Sequence, residues 1–152
     1  MKLRPLLLVA VLAVCGGAAR LQAQQFKVNK AADLTFGNVF PNVPLTIRPT
    51  DAHSGRYVIT GPKNKTVKLV FTLPSVMSGG VTMPISFGPL SGGYSQSSSG
   101  SNMQFFDPRT PATITLSNSG SIYIFIGGTT QPGGGQRAGP YTATILLNVS
   151  AP

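Results

Sequence analysis

Few residues in this chain have reactive side chains, and they lie far apart. His53 is the only histidine, and it lies in the turn-like sequence Asp51-Ala52-His53-Ser54-Gly55. An acid–base or nucleophilic role requires a partner held at hydrogen-bond distance. Residues two or three apart on one loop do not make a catalytic triad. The sequence therefore predicts no catalytic residue, and we expect the protein not to be an enzyme.

The possible metal ligands are equally sparse. The chain has one cysteine, Cys15, no glutamate and only three aspartates, Asp33, Asp51 and Asp107. A structural zinc site takes about four ligands from Cys, His and carboxylates, and a calcium site takes clustered oxygens. We expect no metal site.

A run of three glycines, Gly133 to Gly135, is the one sequence that resembles a phosphate-binding loop. Phosphate loops need a preceding strand and a following helix whose amides face the anion. Here the predicted neighbours are strands on both sides, so a flexible hairpin connection is favoured. We expect no cofactor.

The chain is strongly basic, with a formal net charge of +9. Lys63, Lys65 and Lys68 form the only cluster. An aromatic-and-basic signature of RNA binding is missing, and lysines at strand edges discourage sheets from aggregating. The charge therefore indicates solvated edge lysines, and no nucleic-acid partner is expected.

The N-terminus is typical of an export signal. Lys2 and Arg4 precede an apolar run over residues 6–14, too short to span a bilayer. Leu21-Gln22-Ala23 provides a cleavage site, so residues 1–23 are predicted to be a signal peptide. The alternative is a lipoprotein signal ending at Cys15. The protein is expected in the periplasm, on the cell surface or outside the cell, with a membrane-anchored lipoprotein as the alternative.

The rest of the chain alternates apolar and polar residues between Gly, Pro and Ser turns, which is typical of strands. In the last segment Tyr141, Ala143, Ile145, Leu147 and Val149 share one face, after Gly139 at the predicted strand start. Residues 91–102 are predicted to be a mobile loop, and Pro84 favours an edge strand or a bulge. Strands are also predicted over residues 34–40, 43–47, 56–60, 66–73, 82–87, 103–106, 112–116 and 121–126.

These strands predict an all-β fold, an immunoglobulin-like antiparallel β-sandwich that follows the cleaved signal peptide. The sandwich domain is expected over residues 34–152. Residues 24–33 are expected to form an N-terminal extension or a donor strand.

Several short motifs occur in a distinctive order over residues 32–149. The motifs are Phe36-Gly37, Tyr57-Val58-Ile59-Thr60-Gly61, Thr72-Leu73-Pro74 at the end of the segment from Val67, Ile126-Gly127-Gly128-Thr129, and Gly139-x-Tyr141-x-Ala143-Thr144. Their order resembles a pilin-like domain-of-unknown-function family, family 4402, of exported Gram-negative proteins, and more distantly the spore-coat-U-like and chaperone–usher pilins. The chain differs from chaperone–usher pilins in its terminal Ala151-Pro152 and its lack of a disulfide.

The resemblance implies an immunoglobulin-like sandwich and a structural role in a surface pilus or fibre, or in adhesion. It implies self-association or other fibre subunits as partners, with a periplasmic chaperone. Donor-strand exchange is the expected mechanism, with Phe26 and Val28 entering a neighbour's groove. The alternative is that these residues belong to a frayed terminus or to the domain's own first strand.

A second functional class stays open. A monomeric surface protein or lipoprotein with the same fold would bind a carbohydrate, such as a surface glycan. Tyr94, Phe105 and Phe106 are the candidate aromatic platform, although Phe105 and Phe106 are adjacent and one is expected to face the core.

Overall fold

The computed structural model describes residues 25–152, in which twelve β-strands and no helix are found. The all-β prediction is confirmed, and the antiparallel sheets are consistent with a sandwich. The predicted signal peptide and its cleavage site lie outside the described residues.

The largest sheet has five strands in the order β1-β3-β10-β7-β8, all antiparallel. Its central strand, β10, pairs with β3 on one side and with β7 on the other. The strands are β1 (Lys27–Ala32), β3 (Gly55–Thr60), β10 (Ser121–Ile126), β7 (Gly92–Ser95) and β8 (Gln104–Phe106).

Two smaller antiparallel sheets complete the fold. One has the order β2-β11-β6-β5 and the other the order β12-β4-β9. The first contains β2 (Leu45–Ile47), β11 (Gly128–Thr130), β6 (Met83–Ser86) and β5 (Val76–Met77). The second contains β12 (Leu146–Ser150), β4 (Thr66–Thr72) and β9 (Ala112–Thr115).

The apolar faces of these sheets share one core. In β4, Val67 and Leu69 are fully buried while Lys68 between them is exposed, because successive strand residues point to opposite faces. Phe71 and Leu73 continue the inward face, as predicted. The core consists of Ile59, Val67, Leu69, Met77, Met83, Ile85, Phe87, Ile114, Leu116, Ile122, Ile124 and Ile126.

Gly127 is the point at which the chain leaves one sheet and enters another. β10 ends at Ile126 and β11 begins at Gly128. A Cβ at position 127 would overlap the carbonyl oxygen of Ile47 on β2. Only glycine lets the two backbones approach this closely.

The strand predicted over residues 34–40 is not formed. The chain stays irregular there, with Gly37 in the left-handed region at φ 63°. A strand cannot continue through that conformation. Leu34, Phe36 and Val39 nevertheless pack against the core, which explains their apolar pattern.

Residues 91–102 differ from the predicted mobile loop. Their first part is strand β7, inside the five-stranded sheet. The remainder is organised by serine hydroxyls: Ser95 Oγ donates to the Ser101 carbonyl at 2.6 Å, and Ser97 and Ser99 hydroxyls lie 2.8 Å apart. Serine- and glycine-rich composition predicts a mobile segment, but it does not show whether the serine hydroxyls bond to one another and to the backbone, as they do here.

Pro84 does not lie on an edge strand, since β6 pairs with both β11 and β5. Its carbonyl accepts hydrogen bonds from the Gln131 amide at 3.1 Å and the Thr130 hydroxyl at 3.0 Å. The pairing with β11 ends at Thr130. The missing N–H of proline therefore falls just beyond the end of that ladder, where it is tolerated.

Candidate functional site

A cleft of about 1070 Å³ opens between two irregular segments, residues 32–41 and residues 136–145. Its lining reaches four residues of the hydrophobic core that are at most 7% exposed, so the cleft extends from the surface into the interior. These core residues are Met77, Met83, Ile85 and Ile126.

The first wall of the cleft continues from β1. After Ala32 the chain no longer pairs with β3. The Thr35 amide instead donates to the His53 carbonyl at 3.0 Å. Leu34, Phe36 and Val39 are half-buried along this wall. It therefore presents apolar side chains to the cleft without a continuous strand.

The second wall precedes β12. The last β12–β4 pair is Leu146 with Thr72, so continued pairing would bring Thr144 opposite Pro74, which has no N–H to donate. The terminal strand, predicted to begin near Gly139, therefore starts only at Leu146. The residues that pack against the core are Tyr141, Ile145, Leu147 and Val149, whereas Ala143 is exposed.

Ala143 lines the cleft with backbone groups that have no backbone partner. Thr142 exchanges two hydrogen bonds with Ser78, at 2.8 and 2.9 Å. The next residue, Ala143, makes no backbone hydrogen bond to another described residue. Its N–H and C=O are the free edge of the cleft.

One end of the cleft is narrowed by Tyr57, whose hydroxyl donates to the Ile145 carbonyl at 3.4 Å. Burial raises the pKa of Tyr57 above its ordinary value. At the rim, Lys30 Nζ lies 2.7 Å from an Asp33 carboxylate oxygen. The hydrogen bond to Asp33, with the attraction of its charge, raises the pKa of Lys30. The rim is charged while the interior is apolar.

Phe26 and Val28 lie within the domain's own fold in this single chain. Val28 pairs with Ile59 as part of the β1–β3 ladder. The Phe26 ring lies over Gly61 and near Leu116. Both side chains are half-buried and pack against the core. They occupy the edge of the five-stranded sheet, and their donation to a neighbour stays a prediction.

The three aspartates each have a separate local partner. Asp33 pairs with Lys30, Asp107 pairs with Arg109 at 2.7 Å, and Asp51 accepts from the Arg48 amide at 2.7 Å. Across residues 25–152 no group of three or more His, Cys, Asp or Glu side chains is close enough to hold a metal ion. His53 is exposed in its turn.

The proposed aromatic platform is divided between two sides of the sheet. Phe106 stacks on Phe71, with ring centroids 6.0 Å apart, and lies 6.4 Å from the ring of Tyr94. Tyr94 and Phe106 thus pack against the core. Phe105 points the other way and is 48% exposed. The structure does not bring these three residues together.

Comparison with known proteins adds no assignment. A scan against family models finds no match, and a search of curated proteins finds none either. The part of the chain from residue 25 onward includes no helix of the length and hydrophobicity needed to cross a membrane.

Sequence reasoning did not identify the cleft as a site. The sequence predicts strands over residues 34–40 in the first wall, from Gly139 in the second, and over residues 82–87 and 121–126 in the floor. Pro74 was a detectable signal, because a proline opposite the terminal strand interrupts the ladder. Its position opposite Thr144 depends on the strand register, which the sequence alone does not give.

Proposed function

We propose that the protein is an exported, non-enzymatic structural subunit of a surface fibre, and that its cleft receives an extended segment of a neighbouring subunit. The observation that carries this proposal is an opening lined by half-buried apolar side chains, among them Leu34, Phe36 and Ile145, beside a free backbone edge. Strand addition needs both features, because main-chain hydrogen bonds give affinity and side-chain pockets give register.

The shape of the cleft favours a peptide segment over a small molecule. Its volume, about 1070 Å³, is close to the upper end of small-molecule pockets, roughly 1,000 Å³, so the volume alone does not distinguish the two. Its walls are long stretches of chain, residues 32–41 and 136–145. Such a shape fits an extended chain that lies between the walls and covers the core.

The proposed occupant is the N-terminal segment of a second copy, residues 25–32. In the single chain this segment is held mainly as an edge strand, and of β1 only Val28 and Ala32 are half-buried. Because β1 has a partner strand on one side only, it can leave its sheet by breaking a single ladder. Local openings of this kind involve the least stable parts of a protein.

Phe26 and Val28 supply the apolar contacts in this assembly. Their spacing of two places both side chains on one face of an extended segment. Burying each contributes roughly 1.5–3 kcal/mol before the cost of ordering the segment. The exposed Lys27 and Asn29 alternate with them and would face solvent.

A peptide binding experiment tests this assignment. A fluorescent peptide with the sequence of residues 25–32 is titrated into the protein, and binding is followed by anisotropy. We expect saturable binding, because the peptide supplies the same backbone edge and the same two apolar side chains. The matched control is the same peptide with Phe26→Asp and Val28→Asp.

The control peptide is expected to bind at least about a hundredfold more weakly, since two buried side chains are lost and two charges enter an apolar site. Size-exclusion chromatography with light scattering then measures whether the protein itself assembles. Equal binding of the two peptides, or no binding of either, contradicts the proposal.

A further inference from the structure

A small depression lies on the outward face of the five-stranded sheet, on the side of β3 and β10 opposite the core. Its volume is about 200 Å³. Val58 pairs with Tyr123, and Arg56 pairs with Phe125, so these four side chains share the outward face. The residues that line it include Ala32, Arg56, Val58, Ser98, Tyr123 and Phe125.

The walls of this depression are formed by a register shift in β1 and by a loop beside the sheet. On one side, the register of β1 against β3 shifts between Lys30 and Ala32. On the other side, the serine loop of residues 95–101 approaches the sheet, with Gly100 close to the Phe125 ring. Its hydroxyl bonds connect Ser97, Ser99 and Ser101, and exposed Ser98 lines the depression.

Arg56 has unused hydrogen-bonding capacity at this position. The carbon at the centre of its guanidinium lies 5.6 Å from the centroid of the Phe125 ring, a cation–π arrangement. Its Nε is enclosed by protein and has no hydrogen-bond partner among the described residues. The two ion pairs found in residues 25–152 involve other residues. A ligand in the depression cannot reach this enclosed atom, so the two terminal nitrogens of the guanidinium are the donors that it can contact.

We propose that this depression binds the carboxylate-bearing ring of an acidic sugar, such as a uronic acid at the end of a glycan. The carboxylate accepts from the planar guanidinium of Arg56, which matches it bidentately. The ring lies over Val58 and Ala32. The hydroxyl groups of Tyr123 and Ser98 are the available partners for the sugar hydroxyls.

The composition of the depression favours this ligand over phosphate. Arg56 is the only charged residue that lines it, whereas phosphate sites gather several donors or cations. The volume of about 200 Å³ is below that of pockets for drug-sized ligands, so the depression holds no more than a single ring. An apolar lining with a few polar groups is typical of ligand pockets. This site is separate from the cleft, and the inference does not depend on the proposed assembly.

The test is a ligand titration of the expressed protein, in which ¹H–¹⁵N nuclear magnetic resonance follows the backbone amides. Methyl glucuronide is the probe, and methyl glucoside, acetate and inorganic phosphate are the comparison ligands. We expect methyl glucuronide to shift the amides of Val58, Ser98 and Tyr123 saturably. The glucoside should bind at least about tenfold more weakly, because it lacks the charged acceptor.

Two variants make the test specific. Arg56→Gln is expected to abolish the shifts, and Arg56→Lys is expected to restore the charge but not the bidentate geometry, giving intermediate binding. Lys68→Gln removes the same charge from another sheet and should leave binding unchanged. The dispersion of the spectrum shows that each variant is folded.

Equal shifts with methyl glucoside, or binding retained in folded Arg56→Gln, would overturn the site. Acetate or phosphate binding as tightly as methyl glucuronide would overturn the assignment to an acidic sugar.

Discussion

Replacing Gly127 with alanine is expected to destabilise the fold by at least about 3 kcal/mol, at the upper end of what overpacking does. The added Cβ would overlap the Ile47 carbonyl oxygen and lie within 3.0 Å of backbone atoms of residues 47 and 48. Backbone atoms in a paired strand cannot turn away as a flexible side chain does. The free energy of unfolding from a urea titration measures the effect.

Gly133→Ala provides the matched control. A Cβ at Gly133 meets nothing within 4 Å, and the residue lies in the loop after β11. Its effect is expected to stay within about 0.5 kcal/mol, as for other surface substitutions. If Gly127→Ala and Gly133→Ala unfold at the same urea concentration, the backbone crossover at Gly127 is not as tight as described.

Replacing Ala143 with proline is expected to abolish assembly while leaving the monomer folded. Ala143 is exposed, and its amide belongs to the free edge beside the cleft. Proline removes that donor and places its ring where an incoming backbone would pair. Thr142 already pairs with Ser78, an extended conformation that a following proline accepts. Light scattering and peptide anisotropy measure assembly, and thermal unfolding measures the fold.

Ala143→Ser is the control, because it keeps the amide and adds only a small exposed hydroxyl. It should assemble like the unmodified protein, whereas Ala143→Pro should bind the peptide of residues 25–32 at least about tenfold more weakly. Unchanged peptide binding by the proline variant would show that the peptide pairs elsewhere, for example at the β3 edge in place of β1.

The sequence predicts the regular part of this fold well. The alternation of Val67, Leu69, Phe71 and Leu73 identifies the inward face of β4, since the side-chain period of a strand is two. The same reasoning predicts a strand over residues 121–126, which is β10 in the structure. It also predicts the all-β class. In these strands the local pattern and the tertiary environment agree.

Strand prediction from the sequence fails where the conformation of one segment depends on contacts with another segment. Leu34, Phe36 and Val39 look like a strand because they pack against the core, but Gly37 interrupts them. The strand expected from Tyr141 is shortened by Pro74 on a different segment. Apolar spacing reports burial, whereas pairing depends on a partner that local sequence does not specify.

In the candidate site too, local patterns are predictable from the sequence, whereas features that depend on two distant segments are not. The spacing of Phe26 and Val28 predicts a donor strand, and in the single chain both side chains are half-buried against the domain's own core. Their donation to a neighbour stays a prediction. The cleft was not predicted because its opening depends on how residues 32–41 and 136–145 lie relative to each other. The depression at Arg56 depends on a bulge in β1 and on a loop fold, both tertiary features.

The pairing of β2 with β11 has a consequence for the time course of folding. Thr46 and Thr129 are 83 residues apart in the sequence, yet their hydroxyls lie 2.8 Å from each other. The sheet that contains them cannot close until most of the chain has emerged from the ribosome. Folds dominated by such non-local pairing form in milliseconds to seconds, and their unpaired strands are open to aggregation meanwhile. A protein that shields these edges during this interval would favour folding over aggregation.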